Sequence, residues 1–300
     1  MKCLRPQIRS NAEQFEVGVA DLAHETSILA ALDHPNIVKL YGRAAGDISN
    51  ASKLDERYFI LLDRLEDTLD DCIEGWKKTS SGGKQPPSIA QVKVACSIAD
   101  ALAYIHMNNI VYRDLKPANV GFDSCGVLKL FDFGFAIGIN PPPPFLENNN
   151  SKDGNTMTSE EAESSDHLLY DKAGTPRYMA PEVALQTGYG MEVDVYSFGI
   201  LLWEICNLKI PFAKIKSADD LHKTVFVKGS RPKVGKHLPE NLKRLMESCW
   251  SIDPRKRPSM TYVKSMLCAS VRDISGKGSD AVSDTATKRK KLSRSLTCGL

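Results

Sequence analysis

Apolar and polar positions alternate along this chain in ways that predict both helices and buried strands. After Ser88, apolar residues recur with helical spacing on one face, and Ser88 and Gln91 have the spacing of a capping box. A second capping box, from Ser10 to Glu13, predicts a helix that continues to about Leu32. The apolar face of the helix that begins after Ser88 carries Val92, Ala95, Ala99, Leu102, Ala103 and His106. His106 is expected to be a core histidine whose polar atoms have hydrogen-bond partners.

Unbroken apolar runs and polar stretches divide the rest of the chain. Residues 58–62 and 127–131 have the length of buried strands, whereas residues 200–205 belong to an expected core helix. Residues 77–87 predict a flexible loop because they are polar and contain a Ser-Ser-Gly-Gly sequence. Residues 148–165 are rich in Asn, Ser, Thr, Glu and Gly, and they predict no ordered element.

Composition is that of an ordinary globular chain, with 42% hydrophobic and 25% charged residues in a length of 300. This length suits one large domain or two lobes. The apolar runs are far shorter than the ~18 residues that a membrane-spanning helix needs, and the N-terminus has no signal-peptide core. The eight cysteines form no C-x-x-C pair, which indicates reduced thiols. A cytoplasmic location without membrane association is therefore expected.

The basic character of the chain is concentrated at its end. Residues 269–300 are rich in Ser, Gly, Asp and Thr, and they contain the basic cluster Lys288–Lys291. We expect a disordered basic tail. A nuclear localisation signal, a nucleic-acid patch and a plain solvated charge run all fit this cluster, which leaves a nuclear location open. Nucleic acid is not the expected partner of the remaining chain.

The candidate chemistry lies in residues 112–119, which read Tyr-Arg-Asp-Leu-Lys-Pro-Ala-Asn. Asp114 has a carboxylate that could accept a hydroxyl proton, and Lys116 has an ammonium group that could bind phosphate. Asn119, together with Asp132 of a following Asp-Phe-Gly sequence, offers two oxygen ligands to Mg²⁺. These residue types predict a site for phosphoryl transfer.

These motifs resemble those of the protein kinase family, which usually has His-Arg-Asp-Leu-x-x-x-Asn, then Asp-Phe-Gly and Ala-Pro-Glu. Ala180-Pro181-Glu182 supplies the last motif, and Tyr112 stands where the family usually has histidine. The Gly-Thr-Pro-Arg-Tyr sequence at 174–178 and the Cys-Trp pair at 249–250 are similar to the tyrosine-kinase-like branch of Ser/Thr kinases.

The resemblance implies an α+β, protein-kinase-like two-lobed fold over about residues 1–268, with ATP and Mg²⁺ as cofactors. The N-lobe, about residues 1–65, would contain a small partial antiparallel sheet and helix C. The C-lobe, about residues 66–268, would be large and mainly helical.

The resemblance also assigns nucleotide-binding roles. Lys2 is similar to the lysine that contacts the α and β phosphates, and Glu25 to its partner on helix C. Leu62 is similar to the gatekeeper beside the adenine, and the backbone of Asp63 and Leu65 to the hinge that hydrogen-bonds it. The complete implied set is Lys2, Glu25, Leu62, Asp63, Leu65, Asn119 and Asp132, of which Asn119 and Asp132 hold the metal.

The implied catalytic residues are Asp114, Lys116 and Thr175. Thr175 is included because it would hydrogen-bond both Asp114 and Lys116. Arg113 is similar to the arginine that pairs with a phosphate on the activation segment, and an upstream kinase acting on residues 135–175 would add that phosphate. The candidate acceptors are Thr156, Thr158, Ser159 and Ser164. Two structural roles are implied as well: Asp194 holds the catalytic-loop backbone, and Arg257 pairs with Glu182.

Two features depart from the family pattern. The family places a glycine-rich loop and two strands before the lysine that Lys2 resembles, and the resemblance therefore implies that the sequence starts inside the domain. An internal start site and a product lacking the roof of its nucleotide site are both consistent with this. Gly121 stands where the family has a bulky apolar residue beneath the adenine, which predicts looser packing against the adenine.

Two functions from different classes are therefore open. The first is a protein serine/threonine kinase of intracellular signalling, with protein substrates that carry Ser or Thr. The second is a pseudokinase or scaffold with weak or no ATP turnover. The retained catalytic side chains favour the first, whereas the absent glycine-rich loop and Gly121 favour the second.

Overall fold

The computed structural model describes residues 1–3, 12–44, 59–79, 85–139 and 168–274. Its helices are α1 (Ala12–Ala30), α2 (Leu69–Thr79), α3 (Ile89–Met107), α4 (Pro181–Leu185), α5 (Glu192–Asn207), α6 (Ala218–Leu221), α7 (Glu240–Cys249) and α8 (260–274). Its strands are β1 (Lys2–Cys3), β2 (Leu40–Arg43), β3 (Phe59–Leu62), β4 (Asp67–Thr68), β5 (Ile110–Val111), β6 (Val120–Phe122), β7 (Leu128–Leu130) and β8 (Ile137–Gly138).

The first part of the chain forms a three-stranded antiparallel sheet with the order β1-β3-β2. Side chains alternate between the two faces of a strand, so Ile60 of β3 points to one face, where it is fully buried. There it packs in a small cluster with Val19 and Leu22 of α1. The helix and the sheet thus cover each other, and Glu25 of α1 is brought to the inner side.

The second part of the chain is mainly helical and is built around α5. Every residue of α5 from Val193 to Asn207 is buried, including the polar residues Asp194, Ser197, Glu204 and Asn207, so this mainly apolar helix lies inside the core. Helix α3 packs against it, and the small sheets β4-β6-β7 and β5-β8 lie on the same core. The predicted α+β architecture, with a partial antiparallel sheet and a mainly helical larger part, is confirmed.

The predicted start of α3 is confirmed by its cap. Ser88 Oγ accepts a hydrogen bond from the Gln91 backbone, and Gln91 Oε1 accepts one from the Ser88 backbone at 2.7 Å. Helix α1 ends at Ala30 and not at Leu32, because the amides of Ala31 and Leu32 bond to carbonyls three residues back, which tightens the turn. The predicted disordered tail, residues 269–300, is wrong at its start, because α8 continues to residue 274 and Val271 and Ile274 pack on the core. Ser10, Asn11 and Tyr58 lie outside the described residues, as do residues 275–300.

The prediction of a loop from residue 77 onward is wrong at its start, because α2 continues to Thr79. Helix α2 itself was not predicted. The sequence carried its signals: Thr68 and Asp71 exchange hydrogen bonds at the helix start, and Leu69 and Ile73, four residues apart, are buried. In the part of the chain that is described, no helix has the length and apolar character to cross a membrane. The seven cysteines in that part are all free thiols.

Candidate active site

The loop that carries Asp114 is fixed to the core helix α5. It leaves strand β5 at Val111, and the Asp194 carboxylate accepts the backbone N–H groups of Tyr112 and Arg113, both at 2.8 Å. His106 Nε2 lies 2.9 Å from the same carboxylate. The structural role of Asp194 and the prediction of a partnered core histidine are confirmed. Arg113 has a φ of 69°, a conformation that such a rigid anchor can hold.

Asp114 lies at the centre of a hydrogen-bonded cluster and is almost fully buried. Lys116 Nζ lies 2.6 Å from Oδ2, and the Thr175 hydroxyl donates to Oδ1 at 2.6 Å. Lys116 Nζ also lies 3.0 Å from Thr175 Oγ1. Asn119 Nδ2 donates to the Asp114 carboxylate at 2.9 Å, so both carboxylate oxygens have partners. The predicted contact of Thr175 with Asp114 and Lys116 is confirmed.

Tyr112 connects this loop to the Asp-Phe-Gly sequence. Its buried hydroxyl donates a hydrogen bond to the Phe131 carbonyl oxygen, and its ring meets that of Phe133 edge to face, with centroids 5.0 Å apart. Burial and the neighbouring carboxylates Asp132 and Asp114 raise the pKa of Tyr112, so the hydroxyl stays protonated and remains a donor. Tyrosine at this position thus holds residue 131, immediately before Asp132, against the loop that carries Asp114.

A second cluster joins β1, α1 and the Asp-Phe-Gly sequence. Lys2 Nζ lies 2.5 Å from Glu25 Oε2 and 3.0 Å from Asp132 Oδ1, and Glu25 Oε1 accepts the backbone N–H of Phe133. Burial disfavours the ammonium group of Lys2, but the two carboxylates outweigh this and raise its pKa. The predicted pairing of Lys2 with Glu25 is confirmed. The assignment of these residues to ATP phosphates stays a prediction.

The three residues predicted to lie beside the adenine are at the end of β3 and shortly after it. Leu62 is the last residue of β3. The Asp63 carboxylate accepts hydrogen bonds from the Lys39 backbone at 2.9 Å and from the Tyr41 hydroxyl at 2.8 Å, which fixes the chain leaving the strand. These bonds and the nearby Lys129 outweigh the opposing effect of burial and lower the pKa of Asp63.

Leu65 and Phe131 pack closely on Gly121, and the looser packing against the adenine stays a prediction. A Cβ atom built on Gly121 would lie 2.6 Å from Leu65 Cδ1 and 3.3 Å from Phe131 Cε1. Leu65 therefore fills the space that a larger residue at 121 would occupy.

The donor set fits Mg²⁺ with ATP. Among the described residues there is no group of three His, Cys, Asp or Glu side chains that could hold a metal alone. Mg²⁺ commonly takes one or two protein oxygens and completes its shell with phosphate and water. The Asp132 carboxylate and the Asn119 amide oxygen could supply such a pair, since the amide nitrogen of Asn119 is already turned to Asp114.

Arg113 has partners that the sequence did not indicate. Its guanidinium contacts both carboxylate oxygens of Asp171 at 2.7 Å and the Tyr189 hydroxyl at 3.1 Å. The four predicted phosphate acceptors between 156 and 164 lie outside the described residues.

A separate prediction is confirmed: Arg257 Nη2 lies 3.0 Å from Glu182 Oε2 in a buried ion pair.

Comparison with known families agrees with this geometry. Residues 1–267 match the protein kinase domain family. This match covers most of the chain, and the chain therefore belongs to the protein kinase family, with its α+β two-lobed fold. Members of this family generally use ATP and Mg²⁺.

Individual relatives are protein kinases of several kinds. The chain is 31% identical over 273 residues to a mitogen-activated protein kinase kinase kinase 7-like protein of Drosophila melanogaster, covering 88% of this chain and 57% of that protein. It is 30% identical over 276 residues to the serine/threonine-protein kinase STY17 of Arabidopsis thaliana, covering 91% and 40%. It is 28% identical over 259 residues to the dual specificity protein kinase shkE of Dictyostelium discoideum, covering 86% and 32%. The chain thus spans from about a third to just over half of these relatives.

Proposed function

We propose that this chain is an ATP-dependent protein kinase that transfers the γ-phosphoryl group to Ser and Thr hydroxyls of protein substrates. The observation that carries this proposal is the cluster of Asp114, Lys116 and Thr175, joined by three contacts of 2.6–3.0 Å. Ser and Thr have short side chains. Because Asp114, the proposed base, is held against the loop containing Thr175, it suits a substrate hydroxyl on a short side chain.

The proposed reaction forms a bond between the substrate hydroxyl oxygen and the γ phosphorus, and the bond from that phosphorus to ADP breaks. Asp114 accepts the hydroxyl proton, and the departing electron pair stays on ADP. Lys116, which pairs with the Asp114 carboxylate, stabilises negative charge on the transferred group. Lys2 is oriented by Glu25 and would contact the remaining phosphates. Bound Mg²⁺, held by Asn119 and Asp132, would neutralise phosphate charge.

The alternative of a scaffold without turnover has less support. Every side chain that the family chemistry requires at the loop and the Asp-Phe-Gly sequence is retained and connected. The relatives named as serine/threonine kinases favour turnover as well. One relative is named as a dual specificity kinase, so tyrosine is the alternative acceptor that the test must distinguish from Ser and Thr.

The test is a phosphotransfer assay on peptide libraries with Ser, Thr or Tyr as the only hydroxyl-bearing residue. We expect phosphoserine and phosphothreonine to dominate, and Asp114→Asn to remove the product. Glu247→Gln, an exposed carboxylate change on α7, is the matched control. Product that is mainly phosphotyrosine, or product that is equal for wild type and Asp114→Asn, would refute the proposal.

A further inference from the structure

The contacts of Arg113 point to an additional positioning residue. The Arg113 side chain is largely buried, and its Nη1 lies 2.7 Å from each carboxylate oxygen of the half-exposed Asp171. Its Nε donates to the Phe135 carbonyl oxygen at 2.5 Å. Arg113 therefore joins the chain just after Asp-Phe-Gly to the chain just before Thr175. The position expected for a phosphate partner is taken by a carboxylate of the chain itself.

Tyr189, which follows α4 in the sequence, contacts both Arg113 and Asp171. Its buried hydroxyl accepts a hydrogen bond from Arg113 and lies 2.8 Å from Asp171 Oδ1 and 2.9 Å from the Asp171 carbonyl oxygen. The backbones of Leu169 and Tyr189 exchange two hydrogen bonds of 2.9 Å. Residues 169–171 are thus attached to Tyr189 through both backbone and side chain.

This attachment reaches the catalytic cluster in two ways. Asp171 lies four residues before Thr175, which donates to Asp114. Gly174, with a φ of 98°, packs so closely on the Arg113 carbonyl that a Cβ atom would collide with it. Movement of residue 171 away from Arg113 would therefore loosen the chain that presents Thr175 to Asp114.

We infer that Asp171 is the resident partner of Arg113 and holds residues 168–175 in their ordered arrangement without any phosphate on the segment. The inference rests on the proposed function, since it names how that same site is kept assembled. Asp171 acts through Arg113 and the 174–175 backbone, so it is a positioning residue.

The charge of Asp171 supports this role. Burial opposes ionisation of its carboxyl group, but the Tyr189 hydrogen bond and the Arg113 charge outweigh it and lower the pKa of Asp171 below its ordinary value. The carboxylate is therefore ionised at every pH above about 5. A phosphate monoester would behave differently, because its second pKa is about 6 and it loses charge between pH 7 and pH 5.

The experiment measures backbone amide exchange of Leu169 and Tyr189 in the full chain after phosphatase treatment, with mass spectrometry to establish that no phosphate remains. We expect protected amides in the wild type and in Asp171→Glu. Exchange should be at least about tenfold faster in Asp171→Asn, and unchanged in the control Glu247→Gln.

Phosphotransfer by the same samples separates this inference from the proposed function. We expect the dephosphorylated wild type to be active, Asp171→Asn to lose kcat with little change in KM, and Asp171→Glu to recover it. Asp114→Asn should abolish transfer while Leu169 stays protected. If the amides of Leu169 and Tyr189 are protected but the chain transfers no phosphate, the proposed function is refuted and the role of Asp171 is not. Fast Leu169 exchange in the dephosphorylated wild type, slowed only by phosphorylation, would overturn the role of Asp171.

Discussion

Thr175 donates a 2.6 Å hydrogen bond to Asp114 across 61 residues of sequence. The contact joins the segment that would meet a protein substrate to the proposed base. It is reinforced by Lys116, whose Nζ lies within 3.0 Å of both residues. The three side chains act as one unit, so a change in one should alter the charge and position of the others.

The first prediction concerns the Thr175 hydroxyl. Thr175→Ala should lower kcat by roughly 10- to 100-fold, because a hydrogen bond to a charged group contributes about 1.5–3 kcal/mol. Thr175→Ser keeps the hydroxyl and should stay within about threefold of wild type. Steady-state kinetics on a Ser peptide makes the measurement, with Thr261→Ala, a change of an exposed residue on α8, as control. Equal activity of the alanine and serine variants would contradict the assigned role.

The second prediction concerns Leu65 and Gly121. Gly121→Ala should lower the free energy of unfolding by about 1–3 kcal/mol, since its Cβ would overlap Leu65 Cδ1. Gly121 has no positive φ, so the contact alone causes the penalty. In a Leu65→Ala background the same change should cost less than about 0.5 kcal/mol.

Chemical denaturation and ATP titration of the four proteins in this cycle make the measurement. If Leu65 also lies against the adenine, Gly121→Ala should weaken ATP binding in the wild-type background more than in Leu65→Ala. Strictly additive effects on both quantities would show that Leu65 does not fill the space beside Gly121.

The third prediction concerns pH and the buried Glu204. Burial raises the pKa of Glu204 to about 7, although Tyr178 donates a 2.6 Å hydrogen bond to its carboxylate. A carboxyl group whose folded-state pKa is raised contributes stability at low pH, and this stability is lost as pH rises from about 4.5 to 7. The wild type should lose on the order of 3 kcal/mol over that range relative to Glu204→Gln.

Denaturant unfolding at several pH values between 4.5 and 8 tests this expectation. The difference in free energy of unfolding between wild type and Glu204→Gln cancels the contribution of other carboxyl groups. Glu247→Gln should show the wild-type pH slope. A Glu204→Gln protein with that same slope would mean that folding does not raise the pKa of Glu204.

The central chemistry could be predicted from the sequence because much of it is local. Asp114, Lys116 and Asn119 lie within six residues on one loop, and their spacing alone determines that they share a site. The pairing of Lys2 with Glu25 was predictable only through family resemblance, since 23 residues separate them. The cap of α3 was predictable because both of its hydrogen bonds form between Ser88 and Gln91.

The contacts that were missed depend on tertiary packing. Asp171 is 58 residues from Arg113, and an aspartate in a polar stretch gives no local sign of its partner. The absence of a side chain at Gly121 indicated a gap, but the filling residue, Leu65, comes from a neighbouring segment. Helix α2 is different: Thr68, Asp71 and Ile73 gave local signals that were sufficient to predict it.

The most direct test of the proposed site compares Asp114→Asn with Asp132→Asn in the purified chain, measuring Mg²⁺-dependent ATP affinity and single-turnover transfer on the same samples. Asp114→Asn should lower the transfer rate by about 10²- to 10⁴-fold with ATP affinity retained, because it removes a base and leaves both metal ligands. Asp132→Asn should weaken Mg²⁺-dependent ATP binding as well. Equal loss of ATP affinity in the two variants, or unchanged transfer by Asp114→Asn, would contradict the assignment of base and metal ligand.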